Sequence, residues 1–264
     1  MAKPVLRIFS YLPNPRVWKS LITADLCGVD VEVVGAKPAE LGAWLWDYDA
    51  RPLDADEQTD ESPHARKGRR GFSGTLWKTD EFLAAHPFGT VPAAFGPRGE
   101  TGIFESNSIL RAVARAGAGQ RNLYGKDGYE ASRIDSFLDA NLVFAREAQV
   151  YLLGLDNVTQ EMHGRMAAAY EFYLAGIDQA LAQNDFLVGD ELSIADISFV
   201  CDFAQYLREG HYEEQLQAAG LPLISANGLQ EYPHAYQHML SLSETEPFST
   251  RMGSYLNWYR KKIS

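Results

Sequence analysis

Val5-Leu-Arg-Ile-Phe9, followed at once by Ser10-Tyr-Leu-Pro-Asn-Pro15, decides how the chain folds at its start. The first run is β-branched and aromatic, and the two prolines behind it forbid continued pairing, so a strand ending in a turn is expected. Asn14 stands before Pro15 as a helix cap stands before a proline in the first helical position. Val17, Leu21, Ala24 and Leu26 then recur at helical spacing, and Gly28 can end the helix. Val29-Asp-Val-Glu-Val-Val34 alternates as a second strand. The result is a β-α-β unit with parallel strands.

Outward from this unit the pattern is lost between Gly35 and about Trp77, apart from a short helix expected around Ala39–Tyr48. Asp54–Glu61 is acidic and Arg66–Arg70 basic, and loops this long inside a domain are usually functional or mobile. Two readings stand. The segment is a solvated insertion, or it is a lid or partner-contact segment, because Trp44, Trp46, Tyr48, Phe72 and Trp77 are costly to leave in water. Thr79–Ala85 reads as a short helix and Phe88–Phe95 as a strand interrupted by Pro92. Proline there marks a sheet edge, or a cis peptide that exposes backbone to a ligand. Gly96-Pro-Arg-Gly99 reads as a hairpin turn, Thr101–Phe104 as the returning strand, and Glu105-Ser-Asn-Ser108 as the cap of a helix through Ala116.

Beyond Tyr124, Ile134, Phe137, Leu138, Leu142 and Ala145 recur at helical spacing, as do Met162, Met166, Tyr170, Tyr173, Ile177 and Leu181. Leu192-Ser-Ile-Ala-Asp-Ile197 carries a capping box, in which Ser193 caps the next helix and Asp196 reaches back to the cap's own N–H. The fold class expected is α/β followed by all-α. The first domain covers residues 1–117 with an insertion at about 36–77, and an all-helical domain covers 124–264.

The 264 residues carry 24 basic and 35 acidic side chains, a formal charge of −11 that repels phosphate backbones and anionic membranes. Neither nucleic acid nor a membrane is expected as a partner. No stretch approaches the ~18 apolar residues of a spanning helix, and Met1–Ser10 lacks the layout of a signal peptide, so a cytoplasmic location is expected. Cys27 and Cys201 sit in apolar helical patterns and read as packing residues. Gly71-Phe-Ser-Gly-Thr75 is not a nucleophile elbow, Gly117-Ala-Gly-Gln-Arg-Asn122 lacks the last glycine of a dinucleotide fingerprint, and Gly125-Lys-Asp127 lacks the hydroxyl residue of a phosphate loop. His234 and His238 lie one helical turn apart without a third ligand at suitable spacing, so no metal is expected.

Three features remain. Asn14-Pro15 sets an amide at the positive end of a helix. Val91 can offer its backbone N–H and C=O to an extended peptide if its bond to Pro92 is cis. Glu105 and Ser106, at another helix start, supply a carboxylate for an ammonium and a hydroxyl with N–H for a carboxylate. Together they match a small zwitterionic peptide carrying a thiol. Taken singly, they read as a cap, an edge-strand proline and a cap.

Phe9-Ser-Tyr-Leu-Pro-Asn-Pro-Arg16, Phe88-Gly-Thr-Val-Pro-Ala-Ala-Phe95, Phe104-Glu-Ser-Asn-Ser-Ile109 and Phe186-Leu-Val-Gly-Asp-Glu-Leu-Ser-Ile-Ala-Asp196 resemble the glutathione transferase superfamily. So do the closing Tyr232-Pro-His-Ala-Tyr236 and Glu246-Pro-Phe248. The stretch Val91–Gly99 also resembles the transferase-like part of the elongation factor 1 gamma subunit. The resemblance implies a thioredoxin-like first domain, a helical second domain and glutathione as cofactor. It implies that Val91 pairs with the cysteinyl backbone, that Pro92 is a cis-proline, and that Glu105 and Ser106 hold the γ-glutamyl end. Thr90 stands where a longer polar side chain is common in the family, and Asn14 where many members carry serine or cysteine. An amide donates to a thiolate but forms no disulfide, which disfavours redox chemistry.

The mechanism so implied has Asn14 and its helix start stabilise the glutathione thiolate, with Ser10 and Tyr11 as auxiliary donors. The thiolate attacks an aromatic electrophile bound between the domains, for which Phe137, Phe144 and Tyr151 are contact candidates, core packing being the alternative for each. Similar bacterial chains cleave β-aryl ethers of lignin-derived dimers, some as heterodimers, and a homodimer or a heterodimer with a related transferase chain is expected here. The rival is a non-catalytic scaffold or partner subunit. A third class, a glutathione-dependent reductase, requires an activity that depends on Cys27.

Overall fold

The computed structural model describes residues 3–68 and 72–263, which divide into two compact units, Met1–Arg121 and Asn122–Ser264. Arg69 and Arg70 of the basic run, and Gly71, lie outside the described residues.

The first unit opens with β1 (Leu6–Tyr11), α1 (Pro15–Cys27) and β2 (Val31–Ala36), the parallel β-α-β unit read from the sequence. Asn14 caps α1, Pro15 begins it, and Gly28 closes it at φ 63°. β1 runs two residues beyond Phe9, because Ser10 and Tyr11 still pair with Gly35 and Ala36 before the first proline intervenes. The inserted segment supplies β3 (Trp44–Trp46), β4 (Arg51–Pro52), β5 (Ala65–Lys67) and β6 (Thr75–Lys78), and after it come α2 (Asp80–Ala85), β7 (Ala93–Phe95), β8 (Gly102–Phe104) and α3 (Ser106–Gly117). The sheet order is β2-β1-β7-β8, with β7 antiparallel to both neighbours. β7 is therefore an inner strand, and the expected edge position for Pro92 is corrected: the proline precedes the strand and removes no ladder donor.

Alternation along the strands sorts two cores. Leu6, Ile8 and Ala94 face Val17 and Ala24 of α1 and Ile109 and Val113 of α3. Phe9, Ala93 and Phe95 face the other way, onto Phe82 of α2 and onto Leu41, Trp46 and Leu76. The last three belong to the inserted segment, which is therefore not a solvated loop. Its strands pair in the order β4-β3-β6-β5. A 3-10 turn at Leu41–Ala43 takes the place of the expected short helix. Trp46 packs edge-on against Phe9, Phe72 and Phe82, which answers why so many aromatics lie there. Burying each contributes roughly 1.5–3 kcal/mol. Arg7 ties the segment to β1 by pairing with Asp49 and lying over Tyr48.

The second unit is helical: α4 (Gly128–Gly154), α5 (Gln160–Leu181), α6 (Ile194–Tyr206), α7 (Glu213–Ala218), α8 (Gly228–Glu231), α9 (Pro233–Glu244), α10 (Phe248–Met252) and α11 (Asn257–Ile263). The capping box opens α6 as read: Asp196 accepts from Ser193 N–H at 3.0 Å, while its other oxygen accepts from Leu187 N–H at 2.9 Å. His238 Nε2 lies 3.0 Å from that second oxygen, so this histidine pins α9 to the start of α6. Buried Glu209 accepts from the Tyr151 hydroxyl at 2.9 Å, from Ser225 Oγ at 2.8 Å, and from the N–H groups of Ile224 and Ser225 at 3.1 Å. One carboxylate thereby fixes the loop before α8. No helix among the described residues is long and apolar enough to cross a membrane.

Candidate functional site

Three stretches meet at one end of the first sheet, and strand register brings them together. Phe9 pairs with Ala93, so Ser10 and Tyr11 continue toward the level of Pro92 and Val91. Ala93 pairs in turn with Phe104, so Glu105 and Ser106 emerge beside Pro92. The Val91–Pro92 bond is cis. Among the described residues Val91 N–H and C=O make no hydrogen bond to the protein, and the residue is half-buried, which leaves a backbone donor and acceptor side by side. Thr90, also half-buried, precedes them.

At the start of α3, Glu105 holds φ 65° and ψ 126°, the sole non-glycine positive φ among the described residues. Such a conformation costs about 1–3 kcal/mol and persists only where the surroundings impose it. Glu105 makes no side-chain cap bond and is exposed, while Ser106 behind it is buried at the first helical position. The first N–H groups of α3 have no intrahelical acceptor, so an anion is favoured at that point and an ammonium beside the Glu105 carboxylate.

Asn14 is more committed than the sequence suggested. Its Oδ1 accepts from Arg16 N–H at 3.0 Å as the α1 cap, and its Nδ2 donates to Ser10 Oγ at 3.0 Å. Both residues are 0% exposed. The open amide expected at the head of α1 is thus not what the fold builds: the side-chain oxygen is taken, one of two amide hydrogens is taken, and the remaining one is covered. Of the three thiol-side candidates, Tyr11 alone is half-exposed.

Two cations escaped the sequence reading. Lys19, 0% exposed in the middle of α1, donates to Ser106 Oγ at 2.9 Å and to Asn107 Oδ1 at 2.7 Å. Lys78, at the end of β6, donates to Gly89 O at 2.6 Å and lies 4.6 Å from the Trp46 ring centroid. The sequence carried no signal for Lys19: it shares a buried stripe with Pro15 and Thr23 at spacing four, but none of the three is an apolar marker of a core face. Lys78 sits in the inserted segment, where no period could be read. Among the described residues neither ring nitrogen of His86, buried between Phe82 and Phe104, has a hydrogen-bond partner, and burial holds the ring neutral by lowering its pKa to about 4. Burial pushes the Cys27 thiol up, away from nucleophilic chemistry.

In the second unit a cavity of about 720 Å³ lies between α4 and α5, lined by Arg133, Phe137, Ala140, Glu171, Phe172 and Ile177. Phe137 faces it, with the Arg133 guanidinium 4.8 Å from its ring centroid. Phe144 and Tyr151 do not. Phe144 stacks on Tyr173 at 4.5 Å and is 1% exposed, and Tyr151 is bound to Glu209. The expectation that these two contact a substrate is corrected to core packing, because the aromatic stripe of α4 turns inward at these positions.

Comparison with known proteins bears on the same two units. The family described as glutathione S-transferase, C-terminal domain, matches residues 156–246. A glutathione S-transferase-like protein of Fusarium, LUC7, is 27% identical over 247 residues, covering 92% of this chain and 90% of the relative. Elongation factor 1-gamma 1 of Oryza sativa subsp. japonica is 28% identical over 244 residues, 91% of this chain but 46% of that protein. The chain therefore spans most of the first relative and less than half of the second. Among solved structures, a glutathione S-transferase of Methylobacillus flagellatus KT with glutathione bound superposes with a TM-score of 0.65 at 15% identity, covering 93% of this chain and 98% of that one. With a thioredoxin-like sheet in the first unit and a helical second unit that carries the glutathione S-transferase C-terminal domain over residues 156–246, the chain has the fold of the glutathione transferases.

Proposed function

We propose that the protein is a glutathione transferase that binds glutathione at the end of its first sheet and transfers the thiolate sulfur to an aromatic electrophile. The observation that carries this reading is the unpaired Val91 backbone, before cis Pro92, beside the Glu105–Ser106 terminus of α3. An extended peptide laid along Val91 gains two backbone hydrogen bonds, its γ-glutamyl ammonium meets Glu105, and its carboxylate meets Ser106. Thr90 flanks the same peptide. That glutathione is bound by the Methylobacillus structure supports the choice of peptide.

The chemistry asked of Asn14, Ser10 and Tyr11 is modest. A free thiol titrates near ~8.5, and lowering it by two units takes about 2.7 kcal/mol of preference for the thiolate. One hydrogen bond to a charged acceptor plus a helix terminus supplies that order. The thiolate attacks a carbon bearing an aryloxy group; the C–S bond forms, the C–O bond breaks, and the leaving aryloxide takes a proton from water. A β-aryl ether of a lignin-derived dimer fits this demand, with Phe137 as an aromatic contact. We place the reaction in the cytoplasm and the chain in a dimer with itself or a related transferase; Phe172, 81% exposed on α5, and Val143, 64% exposed on α4, support such a partner.

A second reading has its own observation. Asn14 and Ser10 are completely covered, as in a cap that never meets substrate, which favours a non-catalytic partner subunit like the transferase-like part of elongation factor 1 gamma. Titration calorimetry with glutathione, followed by an assay of phenol release from a β-aryl ether dimer, separates the two. Binding with turnover supports the enzyme; binding without turnover, alone and with any co-purifying homologue, supports the partner; absence of binding sinks both the site and the transferase reading.

A further inference from the structure

We infer that Lys19 is a positioning residue for the γ-glutamyl carboxylate of glutathione, acting through Ser106; the inference rests on the glutathione reading above. An ammonium has three donors and no acceptor, so the 2.9 Å contact between Lys19 Nζ and Ser106 Oγ fixes the hydroxyl as acceptor on that side. The hydroxyl hydrogen is then free to turn outward as a donor, the role a carboxylate requires. Without Lys19 the same hydroxyl can turn inward and present lone pairs, which repel a carboxylate.

The second contact strengthens the arrangement. Lys19 Nζ also donates to Asn107 Oδ1 at 2.7 Å, so one ammonium is tied to the first two residues of α3. At 0% exposure it is not screened by water, and its charge adds to the positive end of the helix dipole at the point where an anion is expected. Lys19 touches no ligand in this scheme. It sets the orientation of the group that does, and it does so from a different helix, α1, which links the anion end of the site to the helix that starts at Asn14.

Calorimetry tests this on the full chain with two ligands, glutathione and its analogue with the γ-glutamyl carboxylate amidated, for wild type, Lys19→Met, Ser106→Ala and the double variant. Lys19→Met should weaken glutathione by about tenfold, as expected for a hydrogen bond to a charged group, and leave the amide analogue unchanged. In the Ser106→Ala background Lys19→Met should weaken glutathione less than it does in the wild type, because the larger part of its effect passes through the hydroxyl. Equal weakening of both ligands, full additivity, or no weakening overturns the inference. Lys19→Gln, measured in parallel in case the Met variant does not fold, keeps a donor without the charge. It should lose part of the discrimination between the ligands, and wild-type discrimination in it overturns the inference as well. Absence of glutathione binding by the wild-type protein overturns the glutathione reading and this role together, whereas binding with unchanged discrimination in the variants overturns this role alone.

Discussion

Replacing Asn14 with alanine separates two roles that the same side chain is asked to play. The first is structural, and its size follows from the contacts. Removing the cap bond to Arg16 N–H costs about 1 kcal/mol. Leaving Ser10 Oγ buried without the donor it had at 3.0 Å costs a further 1–3 kcal/mol or so. Asn14→Ala should therefore lose about 2–4 kcal/mol in urea unfolding followed by tryptophan fluorescence. The second role is electrostatic. If the remaining Asn14 amide hydrogen reaches the sulfur, the thiol of bound glutathione, followed by thiolate absorbance against pH, should titrate about one to two units higher in the variant. Turnover should fall roughly 10- to 100-fold while binding changes little. Asn14→Ser, which still caps the helix, controls for the structural loss. A variant within about 0.5 kcal/mol of wild type refutes the buried-cap description. An unchanged thiol titration in the bound complex refutes the thiolate role and leaves the non-catalytic reading standing.

Other consequences are independent of that residue. Because His86 is held neutral with a pKa near 4 against an ordinary 6.5, the unfolded chain takes up a proton that the folded chain refuses. Its stabilising contribution is intact above pH 6.5 and should fade as pH drops toward 4, by roughly 3 kcal/mol in all. His86→Phe should flatten that part of a stability-against-pH curve, and an identical slope in the variant would dismiss the buried imidazole as its source. Glu209→Gln turns an amide donor toward groups that all donate, so the second unit should lose about 3 kcal/mol in chemical denaturation; a loss below about 1 would mean the carboxylate does not fix the 222–226 loop. Glu105→Gly relieves the backbone at φ 65° and should raise stability by about 1 kcal/mol while weakening glutathione, a stability gain and an affinity loss in one variant. Loss of stability there would show that the conformation is not strained.

The fold was legible where a single element carries its own punctuation. Asn14-Pro15 and Gly28 bracketed α1, and Ser193 with Asp196 announced α6, since caps act within one turn of the residues that make them. The inserted sheet was not legible. Its strands are two to four residues long, too short for a period of two to repeat, and Trp46 is buried against Phe9 and Phe82, which lie outside the segment. The site shows the same division. Val91, Pro92, Glu105 and Ser106 could be named because each sits at an element boundary, but their meeting depends on the pairing of Ala93 with both Phe9 and Phe104. Lys19 went unread because a lysine within an amphipathic helix is usually at the surface, and only the packing of α1 on α3 buries it. Phe144 and Tyr151 were misplaced for the converse reason: an aromatic stripe does not declare which way a helix is turned.

The most direct test is an amide-resolved nuclear magnetic resonance titration of the isotope-labelled protein with glutathione. Saturable shifts centred on the amides of Val91, Ser106 and Asn107, with those of Ser106 and Asn107 reduced when the γ-glutamyl carboxylate is amidated, are the expected result. An unchanged spectrum at millimolar glutathione, or shifts confined to the helical unit, would contradict a glutathione site at the end of the first sheet.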